Sequence, residues 1–170
     1  MKERNNSLVE QGFSIQLATL NDVKSLLSLY KSHHGTDNCV WSENYPNVEM
    51  ITADITKKGV FVVRDADNNI AATMTVIPME PDYHFINWTT RDLYEFARLG
   101  VDKKYNGLGI ASYLFDEMIK YVKTKKTDGI FLLVHPNLQQ GIKMYEKRGF
   151  KYLTRIHAWD YDFLCYELLF

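Results

Sequence analysis

The chain of 170 residues has almost no charge excess, with 20 Lys+Arg against 21 Asp+Glu and a net charge of -1. A nucleic-acid binder carries a basic surplus, so the balance argues against that class. Long apolar runs are missing too. The longest, Ile130 to Val134, is far below the roughly 20 residues that span a bilayer. The first residues, MKERNNSLVEQ, have basic side chains with no apolar stretch behind them and predict no secretory signal. Cysteine is scarce: Cys39 and Cys165 are too few and too distant for a disulfide framework, and a cytoplasmic location is the default expectation. His33 and His34 with Cys39 are a poor metal set, because adjacent histidines rarely point at one ion and no second close pair follows; no metal is expected. No Pro/Gly/Ser-rich linker divides the chain, and no repeat is visible. With 46% hydrophobic and 24% charged residues, the composition excludes a disordered, coiled-coil or collagen-like chain. Aromatics are plentiful at 14%, enough for a core and an aromatic-lined pocket.

Residues 1–12 read as a polar lead-in and 13–170 as one domain. Phe13 to Leu17 alternates as a strand. Asn21 is placed to cap a helix bearing Val23, Leu26, Leu27 and Tyr30 on one face. After a loop from His33 to Pro46, Asn47 is placed to cap a second helix, with Val48, Ile51 and Ile55 inward and Gly59 at its end. Val60 to Val63 and Ile70 to Ile77 flank the turn Asp65 to Asn69 as a hairpin. A long loop, Pro78 to Asp92, precedes the strand Leu93 to Val101. Ile110, Leu114, Met118 and Val122 predict a helix running to about Lys126, whose last lysines (Lys120, Lys123, Lys125, Lys126) form a solvated face suited to the dipole. Ile130 to Val134 reads as a central strand buried on both faces. A helix follows from Pro136 and Asn137 to Gly149, then the strand pair Lys151 to His157 and Tyr161 to Phe170.

The most informative stretch is Arg98-Leu99-Gly100-Val101-Asp102-Lys103-Lys104-Tyr105-Asn106-Gly107-Leu108-Gly109-Ile110-Ala111, where a strand enters a glycine-bearing loop and the loop enters a helix. Gly107 and Gly109 let the backbone approach a ligand and turn N–H groups inward. The helix start adds unpaired donors and a positive dipole end, a combination that suits a phosphate or pyrophosphate. No Gly-Lys-Ser/Thr follows, so it is not a P-loop, and the spacing is not that of a dinucleotide fingerprint. A plain strand-to-helix turn remains the alternative on spacing alone.

Asn106-Gly107-Leu108-Gly109-Ile110-Ala111 resembles the pyrophosphate loop, Gln/Arg-x-x-Gly-x-Gly/Ala, of the GNAT-type N-acetyltransferases. Met144-Tyr145-Glu146-Lys147-Arg148-Gly149-Phe150 resembles that family's Leu-Tyr-Glu-Lys-x-Gly-Phe box. Leu99-Gly100-Val101-Asp102 resembles its fourth strand and exit, and the element order matches from about residue 13 onward. The resemblance implies an α/β (α+β) fold: a mixed, mostly antiparallel twisted sheet with helices on both faces, in the order β-α-α-β-β-β-α-β-α-β-β. It implies a co-substrate, acetyl-CoA, with backbone contacts from Leu99, Gly100 and Val101. The pyrophosphate would lie on Asn106, Gly107, Leu108, Gly109, Ile110, Ala111 and Ser112. Asn106 stands where the family has Gln or Arg. Leu138 stands where it often has Asn, with Asn137 one residue early, and Gly141 matches its small helical residue.

By the same resemblance Tyr145 falls at the tyrosine that protonates the leaving thiolate, and Glu95 at the base used by some members. A core tyrosine and an outward strand glutamate are the plain alternatives, and Glu80, His84 and Asp92 are rival bases. Trp41, Tyr45, Tyr83, Phe85 and Trp88 lie in the two loops that border the family's acceptor site, where they would stack on an acceptor or simply cover the sheet edge. Neither motif contains cysteine, in keeping with direct transfer to a primary amine in a ternary complex. The expected partners are acetyl-CoA and an amine, with neither nucleic acid nor membrane; Tyr161 to Phe170 is a candidate homodimer edge. A non-catalytic acyl-CoA sensor is the other reading, and a nucleotide-binding domain sharing only the turn is a third.

Overall fold

Residues 7–36, 39 and 41–170 are described in a computed structural model. The elements follow in the expected order: β1 (Ser14–Leu17), α1 (Val23–Lys31), α2 (Val48–Thr56), β2 (Val60–Arg64), β3 (Ile70–Pro78), β4 (Leu93–Val101), α3 (Ile110–Lys123), β5 (Gly129–Val134), α4 (Gln139–Glu146), β6 (Lys151–Ala158) and β7 (Tyr161–Leu169). The strands make one sheet in the order β1-β2-β3-β4-β5-β7-β6, so β7 (Tyr161–Leu169), paired on both sides, is not the free edge expected of Tyr161 to Phe170. Every pairing is antiparallel except β4 with β5.

Period-two alternation splits β2 between two cores. Phe61 and Val63 face α3 and α4, packing in one cluster with Leu114, Phe115, Met118, Val122 and Ile142. Val60 and Val62 face the other way, against Leu26, Leu29, Tyr30, Ile51 and Ile55 of α1 and α2. Each such side chain withdrawn from water contributes roughly 1.5–3 kcal/mol, which is what clamps a helix pair to each face. No helix among the described residues is long and apolar enough to cross a membrane.

Several boundaries differ from expectation, each for a local reason. The first cap is not Asn21. The Thr19 N–H donates to the Asp22 carboxylate at 2.7 Å, across a 3-10 turn, Leu20–Asp22, that feeds α1. Asn47 does cap α2, its side chain accepting from the Met50 N–H at 2.9 Å. Gly59 does not supply the left-handed residue after α2. Lys58 does, at φ 56°, while a Cβ on Gly59 would sit 2.2 Å from Ile77 Cγ2, so that glycine answers to packing. Helix α3 stops at Lys123 rather than Lys126, and α4 begins at Gln139 rather than Pro136.

Two irregularities open the middle of the sheet. The parallel ladder runs only from Leu93↔Gly129 to Glu95↔Phe131 and then stops. The β3–β4 register shifts between Thr73 and Thr75, where Thr73 pairs with Gly100 but Thr75 with Ala97. Arg98 takes the bulge at φ 52°. A bulge bends its strand and adds twist, so β4 diverges from β5 beyond Glu95, while β5 stays paired with β7 as far as Val134↔Leu164.

Candidate active site

Where β4 leaves β5, the missing strand neighbour leaves a cleft of about 600 Å³. Glu95, Leu99 and Tyr145, with the whole of α3 and β5 between the first two and the last in sequence, all line it. Beyond Glu95 the side of β4 that would face β5 has no ladder partner, so strand N–H and C=O groups border the space.

Glu95 is 6% exposed and accepts a hydrogen bond from the Tyr83 hydroxyl at 2.6 Å. Burial pushes its carboxyl up from the ordinary value, against the pull of the Arg98 charge and the Tyr83 hydrogen bond. Burial also raises the Tyr83 hydroxyl, and the adjacent Glu95 charge raises it further, so it stays a donor. Tyr145 stacks on Phe115 with ring centroids 5.1 Å apart. Burial raises its hydroxyl to about 12, which keeps the proton on at neutral pH. A Cβ at Gly141 would lie 3.4 Å from that hydroxyl, so the glycine one turn earlier leaves it room.

The side of the cleft formed by α2 and β4 is held by a buried ion pair. Arg98, its side chain 7% exposed, donates to Asp54 at 2.7 Å, to the Tyr45 hydroxyl at 3.2 Å and to Thr75 Oγ1 at 3.3 Å. Burial raises the Asp54 carboxyl despite the opposing Arg98 charge. Lys57 pairs with Glu80 at the rim. Of the rival bases, Glu80 lines the cleft, while His84 and Asp92 do not.

The other residues singled out lie outside this cleft. Gly100 pairs with Thr73, and a Cβ there would meet Leu29 at 2.8 Å and Trp41 at 3.4 Å. The Val101 carbonyl is bonded by His33 Nε2 at 2.9 Å, and burial lowers the His33 pKa. Asn106, Gly107 and Leu108 are exposed in the loop, Ile110 is buried, and Ala111 and Ser112 are half-buried. Gly107 is at φ 81° with open space where a Cβ would be. Gly109, at φ 86°, is the N-cap of α3 and offers no side chain to its first N–H groups. An uncapped helix start leaves its first donors without intrahelical partners. Tyr105 anchors the loop, its hydroxyl donating to Asp65 at 2.5 Å. Asn137 is exposed, and it is Leu138 that reaches the cleft wall.

Among the loop aromatics, Trp41, Tyr45 and Tyr83 line the cleft. Trp88 is buried on Phe131 at 4.7 Å, covering the sheet, and Phe85 stays exposed. Sequence reasoning missed Asp54, Arg98, Trp159, Tyr161 and Phe163. An arginine three residues after Glu95 in a mostly apolar strand is the available signal for Arg98; the rest carry none.

The comparisons agree with this geometry. The model of the "Acetyltransferase (GNAT) family" matches residues 17–150, and the chain belongs to that family. A GNAT-family acetyltransferase from Streptococcus agalactiae 2603 is 22% identical, covering 94% of this chain and 96% of its own, with a TM-score of 0.77. An N-acetyltransferase from Staphylococcus aureus Mu50 is 22% identical over 93% and 98%, with a TM-score of 0.72. A GNAT-family acetyltransferase from Listeria monocytogenes 4b F2365 is 16% identical over 93% and 95%, with a TM-score of 0.76. No curated protein matches. At these identities the neighbours establish the fold, and the family makes acyl transfer the general chemistry of the chain.

Proposed function

We propose that the protein is an N-acetyltransferase that moves the acetyl group of acetyl-CoA to a primary amine by direct attack in a ternary complex. The observation that carries this reading is the convergence of Glu95, Leu99 and Tyr145 on one cleft at the parting of β4 and β5.

The glycine loop fits the co-substrate's pyrophosphate. Its two left-handed glycines and the uncapped start of α3 offer N–H donors and a positive dipole end to an anion. Residues Gly107 to Ser112 would hold it there, with Asn106 beside them, and the free edge of β4 from Leu99 to Val101 would take the arm that leads to the thioester. Asn137 completes the proposed contacts through its side chain, while Gly100, whose backbone is paired with Thr73, contributes by its position between Leu99 and Val101. When bound, acetyl-CoA supplies an activated acyl carbonyl.

The chain's own residues do the rest. The Leu99 N–H donates to the carbonyl oxygen as negative charge develops on it. Glu95, directly or through a water, takes the proton that the ammonium must lose before it can attack. A buried carboxylate with a raised pKa is better matched to that task than an exposed one. Tyr145, protonated at neutral pH, donates to the departing sulfur.

The test is Tyr145→Phe. The expected result is a kcat lower by roughly 100-fold, the scale of general acid catalysis, with acetyl-CoA affinity unchanged by calorimetry. Unchanged kcat would remove Tyr145 from the reaction. Acetyl-CoA binding without turnover of any amine by the parent protein would favour the sensor.

A further inference from the structure

We infer, resting on the acetyltransferase reading, that the acceptor is a small amine with an aryl or alkyl body and no carboxylate, seated at the aromatic end of the cleft. Two independent features carry this: the wall and the charge.

The wall is built from two separate parts of the chain. Tyr83 comes from the loop before β4, and Trp159, Tyr161 and Phe163 come from the β6–β7 hairpin; all four line the cleft. Tyr83 and Trp159 meet edge to face with centroids 6.1 Å apart, and Trp159 meets Phe163 at 6.0 Å. The hairpin turn is made by Trp159 at φ 52° and Asp160 at φ 66°. Two left-handed residues in a two-residue loop are the geometry that selects Asn-Gly or Gly-Gly. This chain keeps a tryptophan there, 56% exposed, with its ring over the cleft. Backbone strain of this kind persists where a side chain has a job at a site. A half-exposed ring face beside two more is a surface for a flat or aliphatic body and for a cation above the ring plane.

The charge is one-sided. The described lining residues include Asp54, Glu80, Asp82 and Glu95 against Lys57 and Arg98. Both cations are already engaged: Arg98 by Asp54, Tyr45 and Thr75, and Lys57 by Glu80. His135 accepts the Asn137 N–H on Nδ1 at 3.2 Å. An acceptor carboxylate would therefore meet carboxylates and ring faces with no free cation to pair it, whereas an ammonium group meets Glu95. A buried unpaired charge is strongly disfavoured, so the site discriminates against amino acids by leaving their carboxylate unmatched.

The experiment uses the whole chain with acetyl-CoA and two acceptors, 2-phenylethylamine and L-phenylalanine. Free thiol is followed, and acetyl-CoA affinity is measured separately by calorimetry. The expected result is a kcat/KM for phenylethylamine at least about tenfold above that for phenylalanine. Trp159→Ala is expected to raise KM for that amine about tenfold and leave acetyl-CoA affinity unchanged, with Trp159→Phe restoring most of the loss. Preference for phenylalanine, or turnover of neither by a protein that binds acetyl-CoA, overturns the acceptor assignment and leaves the acetyl-CoA reading standing. Failure to bind acetyl-CoA overturns both.

Discussion

Glu95 must be charged to take a proton, and its burial works against that charge. Burial raises its pKa above the ordinary glutamate value, so between the unfolded and folded values the native state binds the extra proton. Stability therefore falls as pH rises through that window, while the fraction of active base rises. Two outcomes follow. In the wild-type enzyme kcat/KM climbs with pH through a midpoint above the ordinary glutamate value. In Glu95→Gln that limb disappears and turnover drops by about 100-fold, yet Tm at pH 7 is unchanged or higher, because the amide avoids the cost of a buried charge while still accepting from Tyr83. Tyr83→Phe acts in the other direction on the same group. It removes a hydrogen bond that favours the carboxylate, so the limb moves to higher pH, which a pH–rate profile reads directly. Tyr145 and Glu95 were legible in the sequence because each sits at a fixed offset from a local motif. Tyr83 was visible only as one of several loop aromatics, since nothing local says which ring will touch Glu95.

Strand β4 carries the site through its irregularity. Its bulge is held by Arg98, whose partner Asp54 lies 44 residues away on α2. Asp54→Ala leaves a buried guanidinium without its counter-charge, a loss of about 3 kcal/mol or more. For a domain of this size that corresponds to a fall in Tm of roughly 6–12 °C in calorimetric melting. The loop before α3 behaves differently. Gly109→Ala forces a Cβ onto a residue at φ 86°, costing about 1–2 kcal/mol and misdirecting the N–H groups proposed to meet the pyrophosphate. Acetyl-CoA affinity falls in that variant while the Tyr83–Glu95 pair is untouched. The glycine loop could be read from the sequence because left-handed backbone selects glycine locally. The Arg98–Asp54 pair could not, because it is set by the packing of distant elements; the turn between His157 and Tyr161 could be placed, but not the left-handed backbone of Trp159 within it, which a tryptophan does not signal.

On the scale of the molecule, the succession of strands and helices was legible because alternation and 3.6-residue spacing are local. The place where the sheet parts was not, because it depends on where the β4–β5 ladder ends at Glu95↔Phe131, a matter of register between strands more than thirty residues apart. In the proposed reading that parting would join two halves of one site: the start of α3, which would receive an anion, and the aromatic, acid-rich cleft. Ligand that binds only the folded state stabilises it by about 2.7 kcal/mol at 100 times Kd, so saturating acetyl-CoA is expected to raise Tm by roughly 5–10 °C. The most direct test is a calorimetric titration of the purified protein with acetyl-CoA, with CoA and 3′,5′-ADP alongside. The account predicts one site per chain for acetyl-CoA, with weaker binding of 3′,5′-ADP, which lacks the arm that would lie along β4. No binding of any of the three by a folded protein would contradict it.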